Sequence, residues 1–178
     1  MNGIFSPVLA DIRKRNVGPQ LRGRVLDFGC GVGRLCDLVA ADRFVGVDTG
    51  EDVLAAARQR NPGYTFQPVS MLGQLGSFDT IVAMAVIGYF DDLSRLLGSF
   101  AEKLTPTGRI VITSPTRLAA HLHRIGRTVR LFGDDFYEAD KTLPQRPEFE
   151  AASARAKLRI VEYQPFMLGL NQLVVISR

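Results

Sequence analysis

The stretch Arg24-Val25-Leu26-Asp27-Phe28-Gly29-Cys30-Gly31-Val32-Gly33-Arg34-Leu35 decides the fold of this chain. Its first half is mostly apolar and favours a β-strand, and its second half places three glycines within five positions. Apolar residues with helical spacing follow at Leu35, Leu38 and Val39. The pattern therefore predicts a strand, a tight glycine turn and a helix. Glycines let the backbone approach a ligand closely, and the first N–H groups of a helix are free to bind it.

The spacing of the glycines distinguishes between cofactors. A dinucleotide fingerprint, G-x-G-x-x-G, would place its third glycine at position 34, where this chain has Arg34. The observed order is acidic-x-G-x-G-x-G, with Asp27 two residues before Gly29. This order resembles the nucleotide-binding turn of the class I S-adenosylmethionine (SAM)-dependent methyltransferases. The resemblance implies SAM as the cofactor, S-adenosylhomocysteine (SAH) as its product, and an acidic residue that serves the cationic amino end of SAM.

Length and composition are those of a single globular domain, which we expect to span residues 1–178. The chain is 46% hydrophobic and 22% charged, and no apolar run is long enough to span a membrane. We therefore expect a cytoplasmic protein that acts as a monomer or homodimer. The net charge of +4 comes without a dense Lys/Arg block, which makes nucleic acid an unlikely partner. The two cysteines match neither a disulfide framework nor a zinc spacing, and we expect no metal ion.

A carboxylate ends the second predicted strand, which covers residues 43–48. Asp48 lies 19 residues after Gly29, near the separation expected for an acid that binds a ribose. At the carboxyl end of a neighbouring strand, such a carboxylate can accept hydrogen bonds from both ribose hydroxyls. The alternative is an aspartate that caps the next helix, predicted over residues 51–60. Together with the glycine turn, the spacing favours the ribose role.

The resemblance to the methyltransferases also implies an adenine site. The positions that contact adenine in the family match Val53, Ser70 and Met71, and the loop after the fourth strand offers backbone groups to the amino end of SAM. The full set of cofactor-binding residues predicted in this way is Asp27, Gly29, Cys30, Gly31, Gly33, Asp48, Thr49, Val53, Ser70, Met71, Met84 and Ala85.

The rest of the chain alternates predicted strands and helices, which indicates a parallel sheet. Pro68 falls in the third predicted strand and suits a sheet edge, because proline cannot donate to a central ladder. The later predicted elements are strands over 78–84, 109–113, 158–163 and 172–177, an amphipathic helix from 93 to 104, and a helix over 147–156. This order resembles the methyltransferase fold. We expect an α/β, doubly wound, mainly parallel seven-stranded sheet with an antiparallel last strand and a ligand across the carboxyl ends of strands one and four.

Few sequence features indicate where the methyl acceptor would bind. The ionisable candidates for catalysis are Tyr89, Asp91, His121 and His123, which lie near predicted strand ends or in the segment that follows. For each histidine the alternative is an exposed helix position without a catalytic role. Residues 117–146 have no counterpart in the family pattern, and we expect an acceptor-side insertion there. An apolar stripe and a set of arginines suggest either a helix that covers the core or a lid for a partly apolar, anionic acceptor; these residues are Leu118, Leu122, Ile125 and Val129 with Arg117, Arg124, Arg127 and Arg130.

Methyl transfer from SAM by in-line displacement is the activity that the resemblance implies. The exit of the fourth strand, Met84–Ile87, lacks the Asn/Asp-Pro-Pro-aromatic sequence of amino-group nucleic-acid methyltransferases. We therefore expect a small-molecule or lipid acceptor. Two alternatives remain, a non-catalytic partner subunit with the SAM fold and a nucleic-acid methyltransferase. A nicotinamide oxidoreductase shares the sheet, but Arg34 at the third-glycine position argues against it.

Overall fold

A seven-stranded sheet forms the centre of the molecule, with the strand order β3-β2-β1-β4-β5-β7-β6. The structure is a computed structural model, and it describes residues 5–121 and 143–178. The strands are β1 Val25–Phe28, β2 Phe44–Asp48, β3 Thr65–Pro68, β4 Phe78–Met84, β5 Leu104–Pro115, β6 Arg159–Phe166 and β7 Asn171–Ser177.

The strand directions confirm the predicted fold class. The strands β1 to β5 pair in parallel, and β7 pairs antiparallel with both β5 and β6. The strand order reverses between β1 and β4, so the carboxyl ends of these two strands lie side by side at the crevice. Pro68 lies in β3 at the sheet edge, where its missing N–H leaves no gap in a central ladder.

The helices flank this sheet as the alternating pattern predicts. They are α1 Phe5–Val17, α2 Glu51–Arg60, α3 Leu93–Lys103 and α4 Arg146–Arg155, and residues 117–121 are also helical. Residues 122–142 lie outside the described part of the chain, and so do His123, the stripe residues Leu122, Ile125 and Val129, and the cations Arg124, Arg127 and Arg130. Within residues 5–121 and 143–178, every helix is too short or too polar to cross a bilayer.

The helix predicted directly after the glycine turn is a short 3-10 helix instead of an α-helix. Arg34–Leu38 forms a 3-10 helix of five residues, and Leu38 is 43% exposed rather than part of a buried stripe. Gly33 precedes it in the left-handed conformation without a side-chain cap, and Val39 leaves it in an extended conformation. An isolated segment this short gains little from helix propagation, and tight 3-10 turns are the usual form of such connections.

The buried side chains form two clusters, one on each face of the sheet. Alternation along β1 sends Leu26 into one cluster and Val25 into the other. The first cluster also holds Phe28 and Phe100, whose rings meet edge to face with their centroids 4.9 Å apart. Leu104, predicted as the last helical residue, begins β5 and remains buried in this cluster. The α3 helix therefore supports the end of β1 through aromatic packing.

Replacing Phe100 with alanine should lower the free energy of unfolding by about 3–5 kcal/mol, because a fully buried ring is removed. Urea denaturation followed by circular dichroism measures this change. The Glu102→Ala variant in the same helix changes an exposed residue and should stay within about 0.5 kcal/mol of the original protein. A loss below about 1 kcal/mol in Phe100→Ala would contradict the role given to this contact.

Candidate functional site

The glycine turn is held by the carboxyl end of β2. The backbone N–H groups of Gly29 and Cys30 both donate to the Val47 carbonyl oxygen, at N···O distances of 2.8 and 3.1 Å. Gly29, Gly31 and Gly33 all have positive φ angles, of 73°, 52° and 76°. A conformation of this kind is strained for residues with a side chain, so the three glycines are required by the backbone path.

The three glycines differ in how much room a side chain would have at each position. A Cβ at Gly29 would lie 2.7 Å from Cγ2 of Val86, and one at Gly33 would lie 2.7 Å from Nδ2 of Asn61. These two glycines are needed for packing against neighbouring elements. A Cβ at Gly31 would meet no atom within 4 Å. The open side of Gly31 is therefore where a ligand can approach the backbone closely.

Asp48 lies beside the turn and has a role that the sequence did not reveal. Its Oδ2 atom accepts the N–H of Gly31 at 2.9 Å, and its Oδ1 atom accepts the N–H of Thr49 at 2.7 Å. The carboxylate thus fixes the second glycine of the turn as well as the loop after β2. A carboxylate offers about four acceptor positions, so these bonds leave capacity for a ligand hydroxyl.

Asp27 is buried, with 2% of its surface exposed, and its carboxyl group makes no hydrogen bond with the described residues, although its backbone pairs with β2 and β4. Burial, followed by the negative charge of Asp48, raises the pKa of Asp27 to about 7. An ionised carboxylate in this position therefore lacks a counter-charge from the described part of the protein. The site is electrostatically complementary to a cationic group.

A cleft of about 400 Å³ opens at the carboxyl ends of β1, β2 and β4, and we call it the β1–β4 cleft. Its volume lies within the range of about 300–1,000 Å³ that is usual for small-molecule sites. The residues that line it are Phe28, Gly29, Val47, Asp48, Thr49, Val69, Met84, Ala85, Val86, Tyr89 and Phe90. Asp48 and Thr49 supply a carboxylate and a hydroxyl at the end of β2. Among the described residues, no Lys or Arg lines the cleft. The cleft is thus largely apolar with a negative end.

The structure places six of the sixteen predicted site residues in the lining of the β1–β4 cleft. Those that line the cleft are Gly29, Asp48, Thr49, Met84, Ala85 and the predicted catalytic residue Tyr89. Those outside its lining are Asp27, Cys30, Gly31, Gly33, Val53, Ser70 and Met71. Gly31 is nevertheless bonded to Asp48, and Ser70 and Met71 lie in the 3-10 helix Val69–Gln74, which begins at the cleft residue Val69.

The other predicted catalytic residues lie elsewhere. Asp91 lines a separate cavity between α3 and α4. His121 is exposed at the end of the helical residues 117–121, and His123 lies outside the described residues. The catalytic roles of these residues, like the cofactor contacts, stay predictions.

Three cleft residues, Phe28, Val47 and Val69, were missed in the sequence. A usable signal existed for each, because each is apolar and lies at or beside the carboxyl end of a predicted strand. Ala85, which was predicted, has an unexpected conformation with φ of 60°. Its N–H donates to the Thr113 carbonyl at 2.8 Å, which holds the chain as it leaves β4.

The two cysteines are unsuited to nucleophilic chemistry. Both are buried, and burial followed by the charge of Asp27 raises the pKa of each thiol, that of Cys36 to about 12. A thiol with a raised pKa stays protonated at neutral pH, whereas the thiolate is the nucleophile. Among the described residues, no cluster of three His, Cys, Asp or Glu side chains could hold a metal ion.

Comparisons with known proteins identify relatives of this chain. A trans-aconitate 2-methyltransferase of Methylobacterium nodulans is 30% identical over 149 residues, which cover 80% of this chain and 54% of that protein. A ubiquinone biosynthesis O-methyltransferase of a Bradyrhizobium species is 30% identical over 102 residues, which cover 53% of this chain and 40% of that protein. The chain spans about half the length of the curated relatives it matches.

A solved structure shows the same fold, and a family model covers most of the chain. Magnesium protoporphyrin IX methyltransferase from Synechocystis, with bound SAH, matches with a TM-score of 0.70 at 17% identity, over 97% of this chain and 82% of that one. The family model described as a methyltransferase domain matches residues 3–161. On the strength of this match, together with the strand order and the glycine turn, the chain belongs to the methyltransferase domain family, within the class I SAM-dependent methyltransferases.

Proposed function

We propose that this chain transfers a methyl group from SAM to a small-molecule acceptor and that the β1–β4 cleft holds the cofactor. The observation that carries the proposal is the open side of Gly31, where a Cβ would meet nothing within 4 Å. This opening lies beside the Asp48 carboxylate, at the crevice where the strand order reverses.

The residues present fit SAM in charge and in shape. SAM carries an ammonium group, a sulfonium and a carboxylate, so its net charge is positive. Asp27 and Asp48 supply negative charge without a Lys or Arg in the cleft lining. The apolar walls formed by Val69, Val86 and Phe90 suit the adenine ring and the carbon chain. A phosphate-bearing dinucleotide would instead meet two carboxylates with no compensating cation in that lining.

Each part of the cofactor has proposed partners in this chain. Asp27 and the turn formed by Gly29, Cys30, Gly31 and Gly33 would hold the methionine end, with backbone groups of Met84 and Ala85. Asp48 would accept the ribose hydroxyls, with Thr49 beside it. Val53, Ser70 and Met71 would contact the adenine. The lining of the cleft by Asp48, Thr49, Met84 and Ala85 supports these assignments.

When bound, SAM supplies an activated methyl group, and the chain mainly has to orient the acceptor and exclude water. Asp27, the glycine turn and Asp48 would hold SAM, and the cleft would hold the acceptor atom whose lone pair takes the methyl group and leaves SAH as the product. A protonated acceptor also has to release a proton to a base or to water. Tyr89 lines the cleft, and Tyr89, Asp91, His121 and His123 remain the candidates for this step. Positioning alone can contribute about 7–11 kcal/mol at the extreme.

A small molecule is the acceptor class that the relatives support. The names of the two curated relatives refer to methylation of trans-aconitate and to ubiquinone biosynthesis, and both concern small molecules. The exposed ring of Tyr89 and the buried thiols agree with an acceptor that approaches the cleft from solvent without covalent attachment to the protein. A lipid with a small head group belongs to the same proposed class.

Calorimetric titration with SAM and with NAD, followed by transfer of a labelled methyl group from SAM, tests the proposal. We expect binding of SAM and SAH without binding of NAD, and label in a small-molecule extract rather than in RNA. Binding of SAM without transfer to either extract would favour a non-catalytic partner subunit. Label that enters RNA alone would favour a nucleic-acid methyltransferase, and failure to bind SAM would overturn the cofactor assignment.

Replacing Gly31 with valine should abolish measurable SAM binding while the sheet stays folded, because the side chain enters the open space beside the turn. The matched control is Gly63→Val, since Gly63 also has a positive φ of 90° with no atom within 4 Å, but lies after α2. Both variants carry a similar backbone strain, so a difference in SAM affinity measured by calorimetry isolates the site. Equal SAM affinity in the two variants would remove Gly31 from the cofactor site.

Asp27 predicts a pH dependence of SAM binding. Because its pKa is raised to about 7, the carboxyl is largely neutral at pH 6 and ionised at pH 8, so affinity for the cationic cofactor should rise over that interval. The Asp27→Asn variant should lose about 1.5–3 kcal/mol of binding free energy at pH 8 and show a flat profile. Asp42→Asn, an exposed residue, is the control and should keep the rise.

The stability of the same variant gives an independent check on the Asp27 pKa. A folded-state pKa of about 7 lies above the ordinary value of 3.8, so the folded protein binds more protons between these pH values. The free energy of unfolding of the original protein should therefore fall relative to Asp27→Asn as the pH rises from about 4 to about 7. A constant difference between the two proteins across this range would contradict the raised pKa.

A further inference from the structure

A second cavity, which we call the α3–α4 cavity, lies beside the β1–β4 cleft. It has a volume of about 370 Å³ and is lined by Ile87, by residues 90–94, by one side of α4 and by Arg117, Leu143 and Pro144. Phe90 lines both this cavity and the cleft, so it belongs to both walls. The two cavities therefore share a wall at the end of the sheet where the cofactor is proposed to bind.

The inner part of the α3–α4 cavity is apolar. Ile87, Leu143 and Ala152 line it and are each at most 9% exposed. A surface of this kind favours a ligand with an apolar body, because binding removes carbon surface from water. The cavity is large enough for a small organic molecule.

Polar contacts hold both ends of the predicted insertion 117–146 against α4 and β7, beside this cavity. Arg117 forms an ion pair with Glu148, and Glu148 also accepts the N–H of Gln145 at 3.1 Å. The buried Gln172 side chain donates to the Pro144 carbonyl at 2.7 Å. The residues that enter and leave the insertion are therefore held at the rim of this cavity.

Five ionisable side chains line the cavity, and three of them have partners. Asp92 accepts the N–H of Arg95 at 2.9 Å as the N-cap of α3, and Arg117 is paired with Glu148. The other two are Asp91 and Arg155, and neither makes a hydrogen bond or ion pair with the part of the chain that the structure describes. Their charges are therefore available to a ligand.

These two unpaired side chains lie at different parts of the cavity, and Asp92, whose partner is a neutral backbone N–H, adds a second negative charge next to Asp91. Asp91 directly follows Phe90, the residue shared with the cleft. Arg155 belongs to the last turn of α4, and a long helical side chain leans towards the preceding turn, here Ala151 and Ala152. An anion bound by Arg155 would thus lie at the α4 side, and a second anion near Phe90 would meet the negative charge of Asp91.

We infer that the α3–α4 cavity binds the acceptor as a monocarboxylic acid with an apolar body, anchored by Arg155, with its reacting end at Phe90. This inference rests on the proposed methyl transfer. The guanidinium binds the carboxylate through paired N–H donors, and the apolar lining covers the carbon chain. The methylated oxygen or nitrogen is a group other than that carboxylate, because the carboxylate is held at the far side. Asp91 disfavours a dicarboxylic acid.

NMR titration of the ¹⁵N-labelled full chain with hexanoate, adipate and hexylammonium tests the inference, with and without saturating SAH. Hexanoate should shift the amide signals of Ser94, Ala151 and Ala152 and bind more tightly than adipate or hexylammonium. The Arg155→Gln variant should weaken hexanoate binding at least about fivefold, the loss of one charge-assisted contact. Arg95→Gln, an exposed cation on α3 outside the cavity lining, is the matched control and should bind hexanoate normally.

The Asp91→Asn variant tests the other charge, since it should tighten adipate binding and leave hexanoate binding unchanged. The inference is overturned if hexanoate does not shift the amide signals of Ser94, Ala151 and Ala152. It is also overturned if Arg155→Gln binds hexanoate as tightly as Arg95→Gln does, or if hexylammonium binds more tightly than hexanoate. The titration without SAH keeps this result separate from the proposed function. Failure of SAH to bind would count against methyl transfer, whereas hexanoate binding reports on the cavity alone.

Discussion

The hydrogen bonds between the carboxyl end of β2 and the glycine turn are the constraint on which the site depends. The Val47 carbonyl accepts two N–H groups of the turn, and the Asp48 carboxylate accepts the N–H of Gly31. These bonds fix the turn in a left-handed backbone conformation that only glycine adopts at low cost. They leave the open side of Gly31 facing a space that no neighbouring atom fills. One strand end therefore both shapes the turn and provides the polar end of the cleft.

The negative charge of the cleft has no counter-charge from a lysine or arginine in its described lining. Asp27 is buried in β1 near the negative charge of Asp48, and no Lys or Arg among the described residues lines the β1–β4 cleft. Burial of an ionised carboxylate without a partner is unfavourable, which explains the raised pKa of Asp27. A cationic ligand removes this penalty, so binding and charge are coupled in the proposed cofactor site. The same negative field disfavours phosphate-bearing cofactors of similar folds.

The proposed acceptor side is built from elements that are distant in sequence. Phe90 after β4 lines both the cleft and the α3–α4 cavity, and α4 supplies another wall of that cavity. The Arg117–Glu148 ion pair and the Gln172–Pro144 hydrogen bond hold Arg117 and Pro144, which lie near the two ends of the predicted insertion, at this cavity. Exposed ion pairs contribute little to stability, about 0–1 kcal/mol. The Arg117–Glu148 pair, which is partly exposed, therefore matters more for the position of the rim than for the fold.

The sequence alone determined the sheet, the glycine turn and the family, because these depend on local periodicity and on short-range backbone requirements. The bounds of β4 and α2 agree with the predicted 78–84 and 51–60, and Pro68 lies at the sheet edge as expected. Tertiary structure alone decided that Asp48 anchors Gly31 and that Asp91 lies in a cavity with Arg155. Each of these outcomes depends on which distant elements pack together. No local pattern in the chain specifies such packing, since it is set by the three-dimensional contacts of residues far apart in sequence.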